Sequence, residues 1–209
     1  NKLFSTLEKA NIGNRMEVYF QRWNEIINLL GVDSTNQERF LRQFYNAFRD
    51  DLSSIYKVPM AKKTNLIEIY EKLIDNNPEV FVEQLSVAAK IYSYFLDPES
   101  ITESRNFIKP LLNLSRIQGA PSYILLIKLF RDQMLLGLAD DQLCQIINIL
   151  VAFFVRRNIT DNPSTRDLNQ LFMGIVDKID TSSGMDVVKF VRTTLQNVSS
   201  SDKNFIESL

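Results

Sequence analysis

Apolar residues recur at spacings of three and four along almost the whole chain. This periodicity leaves little room for anything but helices. Residues 14–30 place Met16, Tyr19, Phe20, Trp23, Ile26, Ile27 and Leu30 on one stripe. Phe40, Leu41, Phe44, Tyr45, Phe48, Leu52 and Ile55 form a second stripe, and Val80, Phe81, Leu85, Ala88, Ala89, Tyr92 and Phe95 form another. The punctuation agrees. A β-rich fold needs many turns, and 209 residues hold only 6 glycines and 6 prolines, the residues turns depend on. The sequence predicts an all-α protein, an irregular multi-helix bundle of about ten helices.

The breaks are legible one by one. Gly31 closes the first stripe. Ser34 and Thr35, with Gln37 and Glu38 three residues after each, read as a capping box opening a helix that runs to Pro59. Thr64 opens 65–76, with Leu66, Ile69, Tyr70 and Leu73 inward, and Pro78 opens 78–96. After Asp97-Pro98 comes a helix at 102–117, in which Pro110 predicts a kink or an early break. Another follows at 121–136, stopped by Gly137.

Residues 140–157 are the most apolar segment. Asp140 and Asp141 stand at its start and Arg156 and Arg157 at its end, each sign matched to the helix dipole. Only Gln145 and Asn148 interrupt the run from Leu143 to Val155. It reads as a central, fully buried helix around which the bundle is organised. The run is also read as too short and too interrupted for a membrane span. A polar loop at 158–163, a helix from Ser164 or Thr165 to about Ile179, a linker-like Thr181-Ser182-Ser183-Gly184, a helix at 185–197 and a last piece capped by Ser199–Asp202 complete the chain. The expected organisation is a single helical domain, 1–209, with subregions 1–100 and 101–209. Asn1-Lys2-Leu3-Phe4 reads as already helical and Phe205–Leu209 as an unfinished amphipathic helix, so the expectation is a piece of a longer protein without a signal peptide.

The missing residue types exclude much chemistry. With no histidine, the commonest general base and the commonest metal ligand are gone. The single cysteine, Cys144, has no disulfide partner and suits a reducing, cytoplasmic setting. Ser-His-Asp and Cys-His arrangements are impossible, and a zinc site lacks ligands. No phosphate-cradling glycine loop and no EF-hand pattern occur. Adjacent acids at Asp50-Asp51 and Asp140-Asp141 point about 100° apart on a helix, so adjacency is not convergence. The reading therefore assigns no catalytic residue, metal or cofactor.

Net charge −1 and an isoelectric point near 5.6 do not suit an autonomous DNA-binding domain. The aromatic stripes are apolar and read as core, not as base-stacking platforms. Lys57, Lys62 and Lys63 read as a solvated loop before a nucleic-acid contact. Arg156-Arg157 has two readings. It grips a phosphate or an acidic partner domain, or it complements the helix end and pairs with Asp161 or Asp167; residue types alone favour the second. Asn169 falls among Leu168, Leu171, Phe172, Ile175 and Val176. If buried, it must be satisfied, and capping the preceding loop would do so.

Phe153-Phe154-Val155-Arg156-Arg157, a short polar loop, then Thr165-Arg166-Asp167-Leu168-Asn169-Gln170-Leu171-Phe172 resembles a signature of GmrSD-type proteins, bacterial modification-dependent restriction endonucleases. In that family a helix ends in an arginine pair, followed by a loop and a Thr-x-x-Leu-Asn-x-x-Phe helix. Tyr123 to Phe130 is similar in placement to the family's upstream helix. Asn1-Lys2-Leu3-Phe4 looks like the continuation of the helix that closes its ParB-like nucleotidase domain, and Tyr19-Phe20-x-x-Trp23 looks like the helix that follows. Asp202-Lys203-Asn204-Phe205 resembles the segment leading to its HNH nuclease half. The nucleotidase's Gln-Gln-Arg motif is absent, and an HNH nuclease needs histidine.

The resemblance thus implies a non-catalytic helical middle region, a scaffold that couples a nucleotide-binding domain to a nuclease domain in phage defence. Its partners would be the flanking domains of the parent chain, with DNA reached through the parent, no membrane, and homo-oligomerisation left open. Thr165, Leu168, Asn169 and Phe172 would be structural, and Arg156, Arg157 and Arg166 would contact a neighbouring domain or nucleic acid. Two alternatives stand beside it: a DNA-contacting domain of the same protein, and an unrelated helical protein-interaction module.

Overall fold

The structure is a computed structural model that describes residues 16–76, 78–101, 106–179 and 185–209. Among these residues it contains ten α-helices and no strand. They are α1 (Met16–Leu30), α2 (Ser34–Phe48), α3 (Leu66–Asn76), α4 (Pro78–Leu96), α5 (Ile108–Arg116), α6 (Tyr123–Arg131), α7 (Asp140–Thr160), α8 (Thr165–Val176), α9 (Val187–Val198) and α10 (Asp202–Glu207). The all-α, multi-helix expectation holds. The chain divides into two compact units between Ser93 and Tyr94, inside α4, and not at the Asp97-Pro98 break.

The first unit is built on an aromatic core. Phe40, Phe44, Phe48, Tyr70, Phe81 and Tyr92 are all buried. They meet edge to face, Phe40 with Tyr92 at 5.1 Å and Tyr70 with Phe81 at 5.5 Å between ring centres. Buried phenols need acceptors. Tyr70 donates to the Leu41 carbonyl at 2.8 Å and Tyr92 to Gln43 Oε1 at 2.7 Å. The α1 stripe is only partly covered: Tyr19, Ile26 and Leu30 are buried, while Phe20 is exposed.

Two boundaries in this unit differ from the sequence reading. The cap of α2 is Asp33, whose carboxylate accepts from the Thr35 amide at 2.8 Å. Gly31 turns the chain at φ +75°, a conformation that glycine adopts without strain. This places Asp33, not Ser34, at the cap, and Gln37 reaches back to the Gly31 carbonyl at 2.7 Å. The helix then stops at Phe48, well before Pro59. Its last turn instead anchors the segment that follows. Tyr45 Oη accepts from the Val58 amide at 2.8 Å, and Asn46 Oδ1 accepts from the Ala61 amide at 2.7 Å. The Asn46 amide group also donates to the Ala61 carbonyl at 3.4 Å. The chain is folded back over α2 and pinned there.

In the second unit α7 is the spine, packing on α5, α9 and α10, while α6 packs on α8. The expectation of a fully buried central helix is corrected. Leu143, Ile146, Ile147, Leu150, Phe153 and Phe154 are buried, but Gln145, Asn148, Ala152, Val155 and Ile159 are exposed. Composition reports how apolar a helix is, not how many neighbours surround it. The helix also runs on to Thr160, 21 residues in all. By length and composition it could cross a membrane, contrary to the sequence reading, and 33% of its most apolar window is buried inside the unit. At its start, Gln142 Oε1 accepts from the Ala139 amide at 2.9 Å, half of a capping box.

Pro110 neither kinks nor breaks α5. It lies in the first turn, where a missing N–H costs no helical bond. At the other end Gly119 donates to the Leu114 carbonyl at 2.9 Å. A Cβ there would stand 2.2 Å from Leu114 Cδ1 and 2.9 Å from the Leu114 carbonyl oxygen, so only glycine fits the turn. The expected start of α5 at 102 and the linker-like 181–184 lie outside the described residues.

α6 ends at Arg131, short of the expected 136, because Asp132 is claimed by the interior. Its residue is 4% exposed, and its carboxylate meets Lys128 Nζ at 2.9 Å and Arg131 Nε at 2.7 Å. Burial alone would raise its pKa. The hydrogen bonds and charges of Arg131 and Lys128 outweigh that and hold it below the usual carboxylate value.

Two outcomes follow for stability. Asn46→Ala leaves the buried Ala61 amide unpaired and should cost about 2 kcal/mol in urea unfolding, with new protease nicking around residues 56–62. For Asp132 the folded form prefers the ionised state. Its contribution is therefore complete above the unfolded pKa and fades as pH falls through the lower folded pKa. Asp132→Asn should cost about 2–4 kcal/mol at pH 7, as the loss of a buried partner does. The gap between variant and parent should narrow as pH falls below the usual carboxylate range and through the lower pKa of the folded form.

Candidate functional site

The motif that carries the family resemblance folds into the corner between α7 and α8. Phe153, Phe154, Leu168 and Phe172 are core, whereas Leu171 is half-buried and Val155 is exposed. Phe172 stacks on Phe154 at 6.0 Å with 21° between planes and meets Phe153 edge-on at 6.2 Å. Leu168 is buried beside them in the same helix. Adjacent residues on a helix diverge by about 100°, so the two arginines serve different neighbours.

Arg157 fastens the corner itself. It donates from Nε to the Pro163 carbonyl at 3.1 Å, from one terminal nitrogen to Asn158 Oδ1 at 3.2 Å, and from the other to Asp161 Oδ1 at 2.7 Å and Thr165 Oγ1 at 2.6 Å. Asp161, at φ +51°, ends the helix in the left-handed region. Ser164 Oγ donates to Asp167 Oδ2 at 2.7 Å at the start of α8.

Arg156 faces α10. It reaches Asp202 Oδ1 at 2.6 Å and the Ser200 carbonyl at 3.0 Å, and it lies 4.7 Å above the Phe205 ring. That is a cation–π contact. No α10 residue is buried, and this arginine ties that helix to α7.

Of the residues singled out from sequence, the structure brings Arg157, Thr165, Leu168 and Phe172 into one corner. Arg156 turns away from it. Arg166 is 93% exposed, with its nearest carboxylate, Asp167, at 3.9 Å. Asn169 is half-buried and makes no side-chain hydrogen bond among the described residues. The loop-capping role foreseen for it belongs to Arg157. Lys63 pairs with Glu38 at 3.2 Å, while Asp140 and Asp141 accept from Gln133 and Asn106 at 2.9 and 2.8 Å, tying down two separate segments. No three acids or cysteines converge for a metal among the described residues.

One feature escaped the sequence reading. A groove of about 700 Å³ runs between α7 and α9. Ile149, Ala152, Phe153 and Leu195 line its apolar part; Gln145 and Arg192 stand on its edges; Ser199–Asp202 close one end. A shallower extension of about 320 Å³, reached past Gln145 and Arg192, adds Gln142 and Lys189. The signal was present as Lys189, Arg192 and Gln196 on one face of α9, at spacings of three and four. In the first unit a separate cleft of about 410 Å³ opens beside Phe20, Trp23 and Leu41.

No known protein family, curated protein or solved structure matches this chain.

The two arginines should separate by experiment. Arg157→Ala removes bonds to a carbonyl and a hydroxyl that a charged donor holds strongly, and about 2 kcal/mol of stability should go with them. Hydrogen exchange should rise over 161–165. Arg156→Ala should cost about 1 kcal/mol or less, as an exposed ion pair does, with faster exchange confined to 199–207.

Proposed function

We propose that this chain is a non-catalytic helical scaffold region of a bacterial restriction protein of the GmrSD kind, seating a nucleotide-binding domain relative to an HNH nuclease domain. The parent would act in phage defence in the cytoplasm, and its flanking domains would be the partners of this region. The observation that supports the reading is the use to which the motif is put. Phe153, Phe154, Leu168 and Phe172 are buried, and Arg157 has all three nitrogens occupied by the chain itself. A motif spent this way sets the angle of a corner and leaves little for a ligand. Arg156 is likewise engaged, by Asp202 and Ser200.

The parent reading frame tests the assignment. A Gln-Gln-Arg motif upstream and a histidine-bearing nuclease motif downstream are expected, and a frame holding neither would sink it. A mobility-shift assay tests the DNA-contacting alternative. The 209-residue chain should not retard duplex DNA at low salt. Retardation that fades steeply with salt and disappears on Arg166→Ala would instead make this a DNA-binding region.

A further inference from the structure

We propose that the groove between α7 and α9 is a seat for an acidic amphipathic helix supplied by a partner. The seat stands on the groove's own geometry and does not depend on the restriction-protein reading.

The first argument is shape. The α7 wall runs from Gln142 to Arg156, about 21 Å at 1.5 Å per residue. The opposite wall is α9, from Val188 to its end. Two helices that touch at their inner faces and diverge outward leave a trough of the kind a third helix fills. About fourteen residues of helix would span it.

The second is chemistry. Ile149 and Ala152 offer an apolar floor along the trough, backed by the buried Phe153 and Leu195. Gln145, Asn148 and Gln196 on the rims offer amides that can pair with a partner's polar flanks. A helix with apolar residues at every third or fourth position matches that arrangement.

The third is charge. Five charged side chains line the two parts of the trough: Arg156, Asp202, Asp186, Lys189 and Arg192. Arg156 and Asp202 pair with each other. Asp186 turns an oxygen onto the Lys189 amide at 3.0 Å as the cap of α9. Lys189 and Arg192 remain, exposed and with no ion-pair partner among the described residues. Lys189 also lies in the first turn of α9, where a positive charge opposes the helix dipole. Helix stability does not account for a cation there, whereas an acidic partner does. Two cations without an ion-pair partner among the described residues are few for a nucleic-acid backbone, which binding proteins meet with many, and the apolar floor suits a peptide.

The test uses a phage-displayed library of sixteen-residue helical peptides selected against the 209-residue chain. Enriched peptides should carry excess Asp and Glu beside apolar residues at helical spacing. Measured by fluorescence polarisation, their binding should weaken tenfold or more for Lys189→Glu/Arg192→Glu, and as much for Ala152→Arg, which blocks the trough. All three positions are exposed, and circular dichroism should show the fold unchanged. The double variant should also flatten the salt dependence of binding, as removal of rim charges does. Failure of any helix to enrich, enrichment without acidic excess, or binding that survives both variants would each overturn the proposal. So would single-stranded or duplex DNA that binds through Lys189 and Arg192 and displaces the peptides.

Discussion

Polar side chains that gather partners at helix ends decide where this chain turns. Amphipathic helices bury their apolar faces readily, but burial has no preference for the residue at which a helix stops. Tyr45 and Asn46 end α2 by holding Val58 and Ala61. Asp132 ends α6 because two cations draw it into the interior. Arg157 ends α7 by gathering Pro163 and Thr165. Asn46 and Asp132 sit where water is largely excluded, and leaving either unpaired would cost more than continuing the helix would return. The angles between consecutive helices follow from these few contacts.

This explains which parts of the fold the sequence made legible. Starts that depend on one residue, such as Pro78 at α4 or the break at Asp97-Pro98, were read directly. Stops that depend on where a polar side chain finds its partners were not. The early ends of α2 and α6 have no local signal at the residue where they fall, since Pro59 and Gly137 both lie farther on. The cap at Asp33 was missed by one position because the turn at Gly31 sets the phase, and a capping-box pattern at Ser34 looked just as good.

The site was legible in a different proportion. Adjacency of Arg156 and Arg157 suggested one function for both, yet helical geometry sends them to opposite jobs, one on a corner and one on α10. Arg157 pairs with Asp161, one of the two acids that the sequence offers it. The loop-capping reading of Asn169 rests on its being buried; it is only half-buried, and a guanidinium with several donors holds more acceptors at once. The α7–α9 groove went unread because it belongs to no single segment. Hydropathy marked α7 as the most apolar helix and said nothing of the side left open.

The division of the chain inside α4 has a practical consequence. Trp23 is the single tryptophan and lies on α1, in the unit that ends at Ser93; Cys144 is the single cysteine and lies on α7, in the unit that begins at Tyr94. Each unit therefore carries one native handle. A thiol-reactive acceptor dye on Cys144, with Trp23 as donor, gives an energy-transfer ruler without a single substitution. Its reading would report the stiffness of the one helix whose residues both units share.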